Sequence, residues 1–251
     1  VTGWRRPDPE PVEVHIEIDP EPLTTAATRP QVRPVHHRPI TACSVVAESV
    51  SYSRGGRVIL DEVRMVAVAG ESIAVTGPSG SGKSTLLALL AGLEQPDAGI
   101  VRREPRDSLP RRDGVILQGY GLASVLTAAE NVEVPLQAGA LGRLAPAEIR
   151  DRAAAMLAAV GLSPVADHLI EELSGGQQQR VAVARALVAD PAIVFADEIT
   201  AELDHEWKDH VVDLVLDVAH RGGLVVLATH DPDVAGRCSN QIRLTDGRVS
   251  T

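Results

Sequence analysis

Apolar residues fall along the chain in two kinds of run, and their spacing separates strands from helices. Ser72-Ile-Ala-Val-Thr76, Val115-Ile-Leu-Gln118, Ala192-Ile-Val-Phe-Ala196 and Gly223-Leu-Val-Val-Leu-Ala-Thr229 are short and nearly continuous. Such runs predict buried strands. Gln241–Leu244 reads as a further strand. Helical spacing appears in Thr85–Ala91, in Ala145–Val160 before a stop at Gly161, in Val181–Val188 and in Asp204–Arg221. Strand and helix alternating in this way predict an α/β fold with a mostly parallel core sheet.

Two regions depart from that alternation. Between about residues 43 and 69, the β-like runs Val45–Ser51, Arg57–Leu60 and Val63–Val68 surround the turn signal Arg54-Gly-Gly56. They predict a small antiparallel β unit, and Gln95-Pro-Asp-Ala-Gly99 turns the chain into another short strand. Residues about 120 to 175 are Ala-rich and helix-prone, and they predict a helical subdomain. No internal repeat appears, so one such domain is expected over residues 41–251.

Residues 1–40 have a different composition. They hold eight of the chain's seventeen prolines, with acidic residues from Asp8 to Glu21 and basic ones from Arg29 to Arg38. A segment with so little apolar surface does not offset its ordering entropy, so a Pro-rich, disordered extension is expected. Val12-Glu-Val-His-Ile-Glu-Ile18 alternates as a strand does. It reads either as solvated tail or as a strand added to a sheet edge when a partner binds.

Composition narrows the function classes. The 251 residues are 44% hydrophobic and 23% charged, as in ordinary globular domains. A net charge of −10 argues against general nucleic-acid binding, which needs a basic surface. No apolar run approaches the ~18–20 residues that span a bilayer, and no basic-then-apolar leader opens the sequence, so neither a membrane span nor secretion is expected. Cys43 and Cys238 have no metal-ligand spacing and read as reduced thiols of a cytosolic protein. The pair His36-His37 has no further ligands nearby and reads as solvated.

The most specific chemistry lies in Gly77-Pro-Ser-Gly-Ser-Gly-Lys-Ser-Thr85, which fits G-x-x-x-x-G-K-[ST] between a strand and a helix. In such a loop, Gly77, Gly80 and Gly82 let successive backbone N–H groups turn inward around a polyphosphate. The following helix adds its N-terminal dipole. Pro78, Ser79, Ser81 and Thr85 complete the cradle, Lys83 carries charge to the β- and γ-phosphates, and the Ser84 hydroxyl is placed to ligate Mg²⁺. A nucleoside triphosphate is the expected ligand.

Downstream come Leu173-Ser-Gly-Gly-Gln177, a helical run, and an apolar strand ending in Asp197-Glu198. With these in order the chain resembles the ATP-binding cassette (ABC) family over about residues 45 to 251. The tract Ala129-Glu-Asn-Val-Glu-Val-Pro-Leu136 and the Gln-rich signature are most similar to the lipoprotein-export and macrolide-export branch.

The resemblance implies roles. Asp197 would hold Mg²⁺ together with Ser84, and Glu198 would be the general base toward the attacking water. Gln118 would be the Q-loop glutamine that reaches Mg²⁺, and His230 the switch histidine at the γ-phosphate. Tyr52 reads either as the adenine-stacking aromatic or as a core tyrosine, and Tyr120 as a packing residue. The signature residues Leu173, Ser174, Gly175, Gly176 and Gln177 would precede a helix and meet the ATP of a partner copy. Asp204 would close the D-loop. Implied with these are ATP and Mg²⁺, a homodimer, a separate transmembrane permease, no nucleic acid, and a place on the cytoplasmic face of a membrane.

Two positions depart from the family. Ile199 stands where Pro usually follows the catalytic Glu, and the D-loop reads Ala201-Glu-Leu-Asp204 where branch relatives commonly have Gly-Asn-Leu-Asp. Ile restores backbone freedom that Pro would remove, so a looser Glu198 and slow hydrolysis are expected. Three readings remain open at this point: the ATPase subunit of an exporter, a cassette working outside transport, and a weakly hydrolysing module that dimerises on ATP.

Overall fold

The computed structural model describes residues 43–104 and 113–250. The proline-rich extension, with its Val12–Ile18 alternation, lies outside the described residues.

Two sheets organise the domain. In the first, β1 (Ser44–Arg54) is central, with β2 (Arg57–Val68) and β4 (Ala98–Glu104) antiparallel on either side. The second contains β3 (Ser72–Thr76), β5 (Asp113–Ile116), β6 (Ile193–Asp197), β7 (Leu224–Ala228), β8 (Asn240–Thr245) and β9 (Arg248–Ser250), in the order β5-β6-β7-β3-β8-β9. All its neighbours are parallel except the β8–β9 hairpin.

The apolar runs serve both faces of this parallel sheet. Ile193, Phe195, Leu224, Val226 and Ala228 enter one core with α1 (Lys83–Ala91) and the antiparallel sheet. Val194, Ala196, Val225 and Leu227 enter a second core, under α4 (Gly175–Leu187) and α5 (His205–His220). Side chains alternating between two covered faces account for runs with no polar break. A third cluster joins α2 (Ala128–Gln137) and α3 (Pro146–Ala159) to α4 and forms the helical subdomain.

Several elements differ in extent from the sequence expectation. Arg57–Leu60 and Val63–Val68 belong to one bulged strand, because Glu62 (φ 50°) and Ser49 (φ 50°) absorb register shifts without ending the pairing. β5 stops at Ile116, so Gln118 sits in the turn beyond it and not at the strand end. The signature glycines do not precede a helix; they are its first turn, since Ser174 is the N-cap of α4. α2 is started by a Thr127–Glu130 capping box and tied to its preceding loop by the buried Asn131 amide, which bonds Ala123, Leu126 and Thr127.

The helical subdomain meets the parallel core through Trp207 of α5. Gly161 ends α3 at φ 69°, and a Cβ there would lie 2.1 Å from the Trp207 ring. The Arg180 guanidinium stacks 4.1 Å from the centroid of that ring and donates to the Val160 carbonyl at 2.8 Å. Gly161→Ala should therefore destabilise the domain by about 1–3 kcal/mol, since an extra methyl in a packed contact displaces the ring. Denaturant midpoints of the two proteins check this, and equal midpoints would mean that Trp207 yields freely.

Candidate nucleotide site

The parallel strands place the site at their carboxyl ends, where β3, β6 and β7 run out into loops. β3 leads into the phosphate loop and α1. Gly77 there has φ 142°, and a Cβ would come 2.1 Å from the Leu244 carbonyl oxygen, so only glycine fits beside β8. Gly82 caps α1 at φ 102° against Leu60 and Ile59 of β2. Lys83 Nζ folds back over the loop and donates to the Gly77 and Pro78 carbonyls at 3.0 Å each, with the residue only 9% exposed.

β6 brings Asp197 beside α1. Burial pushes the Asp197 carboxyl up, an effect to which the Glu198 charge adds; the Ser84 hydroxyl hydrogen bond and the Lys83 charge pull it back. Among the described residues, Asp197 Oδ1 and Ser81 Oγ are buried polar atoms with no hydrogen-bond partner. An orphaned carboxylate oxygen beside a hydroxyl and a lysine fits a hydrated cation, and an orphaned hydroxyl within the loop fits an anionic oxygen. The donor set thus suits Mg²⁺ with a polyphosphate.

Glu198 follows the strand with φ 51°. Its N–H donates to the Ala228 carbonyl at the end of β7 (3.0 Å), and its Oε2 lies 2.8 Å from His230 Nδ1. His230 is largely exposed, whereas the Glu198 side chain is 17% exposed. Ile199, the departure from the family pattern, is 1% exposed within the second core, so packing takes up the freedom that its backbone retains.

A cleft of about 520 Å³ collects Ser79, Lys83, Gln118, Asp197, Glu198 and His230, together with Tyr120, Gln179 and Glu202. Gln118 reaches it from the turn after β5. Arg185 of α4 holds that turn by donating to the Tyr120 and Gly121 carbonyls. Sequence reasoning missed Gln179, Arg185 and Glu202 as residues that build the cleft. Gln179 and Arg185 lie in or just after the signature run, yet nothing in their spacing says that their side chains turn toward the loops that line the cleft.

The remaining candidates stand elsewhere. Leu173 is buried, and Ser174 and Gln177 form a reciprocal cap: Ser174 Oγ accepts from the Gln177 N–H at 3.3 Å, and Gln177 Oε1 accepts from the Ser174 N–H at 2.9 Å. None of Leu173–Gln177 lines the cleft. Asp204 caps α5 through the Trp207 N–H. Tyr52 is 9% exposed in the first core, with its hydroxyl 3.2 Å from Glu94 and Arg54 5.8 Å from its ring centroid.

A strand–loop–helix phosphate cradle, an aspartate ending the neighbouring strand and a glutamate–histidine pair beyond it define a P-loop NTPase. The profile described as ABC transporter matches residues 60–201. The macrolide export ATP-binding/permease protein MacB of Marinobacter nauticus is 44% identical over 192 residues, 72% of this chain and 29% of that protein. The methionine import ATP-binding protein MetN of Caulobacter vibrioides is 41% identical over 213 residues, covering 80% of this chain and 63% of MetN. The chain thus spans less than two thirds of either relative. The dimeric ATP-binding cassette MJ0796, solved in a post-hydrolysis state with ADP and Pi, superposes with a TM-score of 0.76 at 35% identity, over 82% of this chain and 97% of that one. The chain belongs to the ABC transporter family. Among the described residues no helix is long and apolar enough to cross a membrane.

Proposed function

We propose that this chain is the motor cassette of an exporter, closing as a head-to-tail pair over two ATP molecules and driving a permease. The observation that carries the reading is the contact of Glu198 with His230 at 2.8 Å, in one cleft with Lys83 and Asp197. It joins a base, an orienting group, a phosphate-binding cation and a metal-ligand carboxylate.

Ser84 and Asp197, with Gln118 lining the same cleft, would hold Mg²⁺, which when bound would supply positive charge toward the nucleotide phosphates. Lys83 adds its own charge to the phosphate oxygens, and the loop N–H groups orient them. Glu198 accepts a proton from water as the water oxygen bonds to the γ-phosphorus and the bond to the ADP oxygen breaks. His230, donating from Nδ1 to the Glu198 carboxylate, fixes that carboxylate toward the water. His230→Ala should therefore lower kcat by roughly 10- to 100-fold with little change in ATP affinity. Steady-state phosphate release checks it, and a change in KM alone would leave His230 a binding residue.

The pairing of copies is supported by the signature, whose helix N-terminus lies outside the chain's own cleft and remains available to a partner's ATP. Tyr52 and Asp204 take their family roles, adenine contact and D-loop closure, within that assembly. The cytoplasmic face of the membrane is the expected location, through the permease. Relatives named for export and for import are similarly identical. The export reading therefore rests on the tract Ala129–Leu136, which lies in α2, and on the Gln-rich signature at the start of α4.

Affinity capture from membranes with Glu198→Gln as bait tests the transport reading. A co-purifying multispanning protein that is lost when Lys83→Ala is added supports it. Capture of soluble proteins alone would favour a cassette working outside transport.

A further inference from the structure

Gln179 has 3% of its surface exposed on the second turn of α4. A buried amide needs partners for its donors and its acceptor. Nε2 donates to the Glu198 carbonyl at 2.8 Å, and Oε1 accepts the Glu202 N–H at 3.1 Å. The two backbone partners fix the orientation of the amide, since only its nitrogen suits a carbonyl and only its oxygen suits an N–H. One side chain thereby spans the whole turn from Glu198 to Glu202.

That turn needs holding. A non-glycine residue at φ 51° persists only where its surroundings over-determine it. The end of β7 binds the Glu198 N–H, and Gln179 binds the Glu198 carbonyl. Both peptide groups flanking the carboxylate-bearing residue are thus pinned while its side chain meets His230.

The same helix carries the signature at its start. A Cβ on Gly176 would lie 2.6 Å from the Glu202 carbonyl oxygen, and one on Gly175 would lie 3.2 Å from the Glu202 carboxylate. The first two turns of α4 and the Glu198–Glu202 turn are therefore closely packed and joined by the Gln179 amide.

We propose that Gln179 is a positioning residue for Glu198, tying the catalytic carboxylate of each chain to whatever occupies that chain's own signature end. The positioning half rests on the site geometry alone. The coupling half rests on the paired-cassette reading above, in which that occupant is the partner copy's nucleotide.

Gln179→Met removes both hydrogen bonds at similar length and volume. Gln179→Asn keeps a polar amide one methylene short, should the first variant fold poorly. In the full chain, either should lower kcat roughly 10- to 100-fold with KM for ATP held within about two-fold. The Hill coefficient for ATP should fall to about 1. The thermal midpoint and the ATP-dependent dimerisation seen in a Glu198→Gln background should survive. Unchanged kcat overturns the proposal, and so does a kcat loss matched by lost nucleotide binding or lost dimerisation, which would make Gln179 merely structural. If Glu198→Gln alone stays monomeric in saturating ATP and Mg²⁺, the paired reading and the coupling half fall together. The positioning half is then upheld or overturned by the kcat and KM values alone.

Discussion

Glu198→Gln should lower ATP turnover by roughly 10²- to 10⁴-fold while leaving ATP affinity nearly unchanged. The amide has the shape of the carboxylate, and its oxygen can still accept from His230 Nδ1, now 2.8 Å from Glu198 Oε2. The backbone bonds of residue 198 to Ala228 and Gln179 do not involve the side chain and are retained. What is lost is a basic oxygen, so the water keeps its proton when it attacks phosphorus. Phosphate release measured in a single turnover, beside equilibrium nucleotide binding, separates the two quantities. Retained turnover would move the base to another carboxylate. Besides Asp197 the cleft offers Glu202, whose N–H is already held by Gln179.

The strands that carry the site were legible because they are buried on both faces. Ile193–Asp197 and Leu224–Ala228 have no exposed position, and their unbroken apolar runs follow from that. The phosphate loop was legible for a different reason: Gly77 and Gly82 occupy backbone conformations and close contacts that a side chain would not permit. Residues whose function depends on tertiary placement were not legible. Gln179 and Gln178 are neighbours of like composition. Yet Gln178 caps carbonyls of Ile170 and Leu173, while Gln179 points to the Glu198–Glu202 turn. Only the packing of α4 distinguishes them.

The short β9 was also missed, although Asp246-Gly247 is a hairpin signal and both residues have positive φ. Three residues are too few for a periodicity to show. Tyr52 was open between stacking and packing. Its ring lies mostly in the core with the hydroxyl on Glu94, so only its remaining exposed edge can face a base without rearrangement. The loosening expected from Ile199 meets an opposing term. The side chain is 1% exposed among Val211, Val215 and their neighbours, and burying an Ile is worth about 1.5–3 kcal/mol.

Lys83→Ala should act on the other half of the cycle and lower ATP affinity by roughly 10- to 150-fold, as one charge-assisted hydrogen bond is worth about 1.5–3 kcal/mol. The loss has two physical parts. The ammonium no longer offsets phosphate charge in a loop where Asp197 and Glu198 already contribute negative charge. The Gly77 and Pro78 carbonyls also lose the donor that draws the loop together. Lys83→Arg should restore little, because the planar guanidinium is bulkier than an ammonium in a position only 9% exposed. Titration with a fluorescent nucleotide at fixed Mg²⁺ checks both variants. Equal affinities for the native chain and Lys83→Ala would mean that the loop N–H groups bind the phosphates unaided. The double variant Lys83→Ala, Glu198→Gln then gives the sharper test. On the proposed roles, with Lys83 acting in binding and Glu198 after it, the double variant should bind ATP as weakly as Lys83→Ala alone. The ATP trapping expected of Glu198→Gln should disappear.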